Sequence, residues 1–233
     1  MRLFYVIYFF LSTFFVIQNK DQFKVVEISK KMDNRGNEFF QQPHYSNYFF
    51  EDENYIVNSE CQGEFGGKIY FKDKKNGKIN FCASTCSVII NKIDKSYYLT
   101  TSLRHGTGSY GLYEITNPKE LTEKENDTIN YSRYDELIGL KPLSMDWNKT
   151  ILLSFVYKSR LYHIVSGNDE TYLAERINSK LNKIQTLINR EIYSIGNETR
   201  KTKDNHYLAI FYSQGKQGFI DVYENDIKIT TYE

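Results

Sequence analysis

The chain has 233 residues, with 30 Lys and Arg against 29 Asp and Glu and a net charge of +1. That length suits one ordinary domain or a small repeat protein, and a balanced chain with no basic run beyond Lys72–Lys75 gives no footprint for a nucleic-acid partner. Twenty Tyr, sixteen Phe and only three Pro favour pleated, half-buried strands over helices.

The N-terminus opens with Met1-Arg2, and an apolar run from Leu3 to Ile17 is broken only by Ser12 and Thr13. The sharp switch to Gln18-Asn-Lys-Asp-Gln22 makes residues 1–17 read as a secretory signal peptide. The run is shorter than the roughly twenty residues of a spanning helix, so no stable membrane span is expected after its removal. The protein is expected to be secreted, or held in the periplasm or cell envelope. Cys61, Cys82 and Cys86 then predict one disulfide and a spare thiol, with the pairing left open. A Cys82, Cys86 and His105 cluster lacks metal-knuckle spacing and a fourth ligand, so neither metal nor cofactor is expected.

Residues 18–50 read as an irregular segment with turns at Asp33–Asn37 and Gln41–His44. Its aromatics Phe39-Phe40 and Tyr48–Phe50 supply either a first strand or plugs against the domain. A β-repeat domain spans 51–233. Its first unit holds strand signals at Tyr55–Val57, Lys68–Phe71 and Lys78–Phe81, the last two joined through Asn76-Gly77, a strong hairpin signal. The second holds Val88–Ile90, Tyr97–Thr100, Leu112–Ile115 and Glu120–Thr122. An irregular insert follows at 123–147, whose Trp147 is expected to pack between units. The third holds Ile151–Val156, Leu161–Val165, Tyr172–Ile177 and Lys183–Ile188. The fourth holds Glu191–Ile195, His206–Phe211, Phe219–Val222 and Ile227–Thr230.

The third strands begin about 42, 62 and 46 residues apart, at Lys68, Tyr110, Tyr172 and Gly218. The long middle gap equals one repeat plus the insert. With its pattern of strand, glycine-containing loop, Leu-Tyr-x-Ile, turn and strand, the chain over 54–230 resembles β-propeller repeats. The resemblance implies an all-β fold: a small propeller-like array of about four to five four-stranded antiparallel blades. Two alternatives stand beside it. One is a β-sandwich. The other is a β-rich α+β fold with a helix at 172–193, because Leu173, Ile177, Leu181, Ile184, Ile188 and Ile192 also fit a helical stripe.

In a propeller the loops between second and third strands share one rim. They carry Glu64, Arg104, His105, Asp169, Gln214 and Lys216, which are the candidate binding residues. Gly106–Gly111 is not the glycine-flanked serine of a strand-to-helix elbow. His163 falls in a strand and reads as a packed residue. The function expected is a non-catalytic binding module for a protein or carbohydrate. The alternatives are a glycan hydrolase using Glu64 and Asp169 and a structural envelope protein. Asn126, Asn130, Asn148 and Asn197 begin glycosylation-type triplets, three of them in or beside the insert.

Overall fold

Turn chemistry sets the rhythm of the chain. Lys158-Ser159, Asn168-Asp169 and Gln214-Gly215 take positive φ at both central positions, the geometry whose twist suits a two-residue antiparallel hairpin. The computed structural model describes residues 22–31, 49–124, 137–194 and 199–233. Residues 1–17, expected as a signal peptide, and Phe39-Phe40, Asn126, Asn130 and Asn197 lie outside those residues.

The strands run in chain order. β1 (Lys24–Lys30) precedes the first unit, β2 (Phe50–Glu51), β3 (Tyr55–Cys61), β4 (Gly67–Asp73) and β5 (Ile79–Ala83). The second unit has β6 (Ser87–Ile93), β7 (Ser96–Leu103) and β8 (Ser109–Ile115), followed by β9 (Thr122–Glu123) and β10 (Lys141–Trp147). The third has β11 (Thr150–Tyr157), β12 (Arg160–Gly167), β13 (Glu170–Ile177) and β14 (Lys180–Ile188). The fourth has β15 (Thr199–Lys201), β16 (Tyr207–Ser213), β17 (Lys216–Tyr223) and β18 (Asp226–Tyr232).

These strands form four sheets of four or five strands each, ordered β2-β3-β4-β5-β9, β10-β8-β7-β6, β11-β12-β13-β14 and β1-β18-β17-β16-β15. The fold is all-β, as expected, and divides into four sheets. Each sheet is too small to bury both faces alone, so neighbours must stack. The inner strands β6 and β11 pack on each other, and β11 also packs on β16. One buried cluster joins Val88 and Ile89 of β6, Leu152, Leu153 and Phe155 of β11 and Phe211 of β16.

One segment resolves in favour of the expected strands over the helical alternative, and four others depart from expectation. Residues 172–188 are strands, not a helix, because Asn178 turns the chain at φ 58 and β13 pairs with β14 through two register shifts. Those bulges let a helical spacing of apolar residues alternate with the pleat. The fourth strand of the second unit is Lys141–Trp147, inside the segment expected as irregular. Pro118–Glu120 is instead a 3-10 turn, and Thr122-Glu123 returns to pair with Asn80 and Phe81 of the first sheet. Residues 191–194, the described part of the strand expected at Glu191–Ile195, do not open the fourth unit; Tyr193 makes one isolated bridge to Tyr212, and β15 takes that place. Residues 24–30, expected as irregular, form β1 and pair in parallel with β18 at the edge of the last sheet.

Glycine is required at Gly218 of β17. A Cβ on Gly218 would collide with the Phe211 ring and the Thr230 carbonyl, so the absence of a side chain lets an aromatic lie across the strand.

Candidate functional site at one rim

Two β-bulges build the site. In β6 the register passes from Ser87–Thr101 to Ile89–Thr100, leaving Val88 without a ladder partner. In β11 it passes from Ile151–Val165 to Leu153–Ile164, leaving Leu152 without one. A bulge puts an extra residue into the strand and re-aims its side chain. Both bulged residues line one cavity of about 300 Å³, together with Leu103, Arg104, Ile151 and the disulfide. The carbonyl freed at Val88 accepts a hydrogen bond from the Thr199 hydroxyl, and the Ile151 N–H donates to Ser102 Oγ at 3.0 Å.

The disulfide joins Cys61 at the end of β3 to Cys86 before β6, across 25 residues. It ties the first two sheets together at the cavity wall. Cys82 is the free thiol, fully buried in β5. Pairing consumes Cys86, so the Cys82, Cys86 and His105 set has no thiolate to offer from Cys86.

Arg104 follows β7 at the cavity mouth. Its guanidinium lies over the Tyr193 ring, with Cζ 3.1 Å from the centroid. Tyr193 is fixed by paired backbone bonds to Tyr212 at 2.9 and 2.6 Å. Its hydroxyl donates to Glu191 Oε2 at 2.8 Å. That bond, aided by partial burial and the Glu191 charge, pushes the Tyr193 pKa above its ordinary value. The other Glu191 oxygen accepts the Asp169 backbone N–H at 3.0 Å. Arg104 itself makes no hydrogen bond to any described residue.

Of the six expected residues, Glu64 and His105 meet, with Oε2 to Nε2 at 3.2 Å. Both are solvent-exposed, so the pair links two loops but adds little stability. Arg104 and Asp169 converge on Tyr193 and Glu191. Glu64 thus pairs with His105, and Asp169 meets Glu191 through its backbone N–H. Gln214 sits in an exposed turn at φ 50. Lys216 bonds Glu233 at 2.5 Å, at the edge where β17 meets β18. Neither lines the cavity.

Tyr193, Glu191, Val88 and Leu152 were not legible as site residues, because a bulge leaves no mark in apolar periodicity. Phe65 and Trp147 were also missed. Phe65 is 83% exposed in the 3-10 turn Gly63–Phe65, and Trp147 is 74% exposed opposite Ser109 at the start of β8. Trp147 therefore does not pack between units; it stands beside the rim, and Asn148 next to it is exposed as well.

A second cavity, about 690 Å³, lies at the other ends of β6 and β11, where Lys92, Tyr157, Lys158, Lys201 and Tyr207 meet. Lys92 is already held there by Asp52 at 2.7 Å and Glu53 at 2.5 Å.

Fold and site together define an all-β array of four sheets with a bulge-lined cavity on one rim. No helix among the described residues is long and apolar enough to cross a membrane. Comparison with protein-family models, curated proteins and solved structures finds no match for the chain.

Proposed function

We propose that the protein is an exported, non-catalytic binding module that takes a protein or carbohydrate ligand on the rim bearing Arg104. One observation carries this reading: a guanidinium placed over an aromatic ring, with no hydrogen bond from it to any described residue, at the mouth of a mostly apolar cavity. Such an arrangement is pre-organised for a ligand and loses little rotamer freedom on binding. Phe65, in the same turn as the lining residue Gly63, and Trp147, paired with Ser109, are exposed, and Trp, Tyr and Arg are the residue types that dominate binding hot spots. Export is supported by the Leu3–Ile17 apolar segment and by a disulfide of the kind that persists in oxidising compartments.

The test uses the mature chain on a glycan array and an array of extracellular proteins. The variants are Arg104→Ala/His105→Ala and Phe65→Ala/Trp147→Ala, all exposed positions. A ligand bound by the native chain should lose about tenfold or more in affinity with either variant while circular dichroism stays unchanged. Full retention of binding in both would remove this rim from the account.

A further inference from the structure

The Arg104 cavity has two properties that together restrict what fits it. It is small. About 300 Å³ is the lower end of ligand cavities, room for one side chain rather than for a chain of sugar rings. Its walls are mostly apolar, made by Val88, Leu103, Ile151, Leu152 and the disulfide, and of the Ser102, Thr150, Ser194 and Thr199 side chains that share the lining, the Ser102 and Thr199 hydroxyls are already bonded to the Ile151 N–H and the Val88 carbonyl. A strongly hydrated group inside it would lose its water without replacement.

The mouth has the opposite chemistry. Arg104 presents a planar fork of N–H donors that makes no hydrogen bond within the described protein. The Thr150 hydroxyl at the same lining likewise has no partner among the described residues. Guanidinium forks match carboxylates in bidentate geometry. Glu191, the carboxylate nearest in the network, is already occupied by Tyr193 and the Asp169 N–H. It holds the ring beneath the guanidinium rather than neutralising the fork through a direct bond.

An apolar slot for one side chain, with a carboxylate-binding fork at its lip, fits a group carrying both on one carbon. The last residue of a polypeptide has that construction. An internal Asp or Glu carries the carboxylate but no apolar group beside it, and an acidic sugar carries hydroxyls where this cavity offers aliphatic carbon. We infer that this rim captures the C-terminal residue of a protein partner, with Arg104 holding the terminal carboxylate and the cavity holding an aliphatic or aromatic last side chain. The inference rests on the rim reading proposed above and narrows its ligand to a protein.

The experiment measures binding of the mature chain to labelled hexapeptides by fluorescence anisotropy. The peptides differ only in their last residue and in whether that end is a free carboxylate or an amide. Peptides ending in free Leu, Ile or Phe should bind. Amidation should weaken them roughly tenfold or more, and a last Asp or Lys should do the same. Arg104→Lys should reproduce the loss seen on amidation for free-carboxylate peptides, since it keeps the charge and removes the fork. It should leave the weak binding of amidated peptides unchanged. Equal binding of free and amidated peptides overturns the inference. If no peptide binds but an acidic glycan does, and Arg104→Ala abolishes that binding, the inference falls while the rim reading stands. Ligand binding that ignores Arg104→Ala altogether removes both.

Discussion

Ser154 Oγ lies 2.7 Å from Nδ1 of His163, and both residues have no exposed surface. The spacing is that of a nucleophile and its base, but the pair is sealed in the core. Thr100 donates to Ser154 at 2.9 Å. Ser154 thus shares one hydrogen bond with Thr100 and one with the His163 ring, whose Nε2 has no partner among the described residues. The chain Thr100, Ser154 and His163 pins β7, β11 and β12 together as a polar seam. Burial, reinforced by Arg176, pushes the His163 pKa down from 6.5 to about 3.

That depression has a stability consequence. Between pH 6.5 and about 3, the unfolded chain holds a proton on this ring that the folded chain does not. The contribution is complete above pH 6.5 and is lost as pH falls, with a slope of up to about 1.4 kcal/mol per pH unit. His163→Phe keeps the ring volume and removes the titration. Urea denaturation from pH 7 to 5, above most carboxylate titrations, should show falling stability for the native chain and a flatter profile for the variant. Parallel profiles would refute the assignment.

The Cys61–Cys86 bridge closes a loop across 25 residues, and a loop of that size stabilises by about 3 kcal/mol. Cys61→Ser/Cys86→Ser, or the native chain in reductant, should unfold at correspondingly lower urea. Cys82 should resist thiol reagents until unfolding, because burial removes access and pushes its pKa up to about 12. Rapid labelling of Cys82 in the native protein would contradict its placement in β5.

What could be read beforehand, and what could not, follows from how local the cause is. Asn76-Gly77, Lys158-Ser159, Asn168-Asp169 and Gln214-Gly215 are decided by neighbours in sequence, so the turns and the strands they bound were legible. The partners of Thr122, Lys24 and Tyr193 lie far along the chain, and nothing local names them. The bulges at Val88 and Leu152 place consecutive apolar residues on both sides of a strand, which in sequence is an unbroken run. Arg104 was legible as a polar loop residue, but the Tyr193 ring beneath it depended on a bridge to Tyr212 that periodicity does not encode. The helix alternative at 172–193 failed because apolar spacing alone cannot separate a stripe from a bulged hairpin.

Phe23 anchors the N-terminal segment. It is 4% exposed and edge-on to Tyr162, Tyr157 and Phe155, with centroids at 4.9, 5.5 and 5.8 Å. Glu27 on β1 adds an ion pair with Arg190 at 2.6 Å. Phe23→Ala should cost about 3 kcal/mol by the combined loss of transfer energy and packing. Removing residues 18–31 should in addition expose the β18 edge and promote aggregation. Equilibrium urea unfolding and light scattering check the two effects. A loss below about 1 kcal/mol for Phe23→Ala would show that the segment is not integral to the core.

Asp52 fastens the first sheet to the second. It accepts Lys92 Nζ at 2.7 Å, the Tyr97 hydroxyl at 2.6 Å and the backbone N–H groups of Asn54 and Tyr55 at 2.8 Å. Burial alone would raise its pKa, but these hydrogen bonds outweigh that and hold it below the ordinary 3.8. Its contribution is therefore complete above pH 4 and vanishes as pH falls through the lowered folded value, a window below the onset of the His163 effect. Asp52→Asn should cost about 2 kcal/mol at pH 7, a value kept modest because Lys92 remains partly exposed to solvent. A double-mutant cycle with Tyr97→Phe should give a coupling of about 1 kcal/mol, because the two side chains share a hydrogen bond. The variant should lose the acid phase below pH 4 that belongs to this carboxylate and keep the one that begins near 6.5. Additive single losses, or disappearance of the upper phase instead, would show that Asp52 and Tyr97 do not act as one fastening.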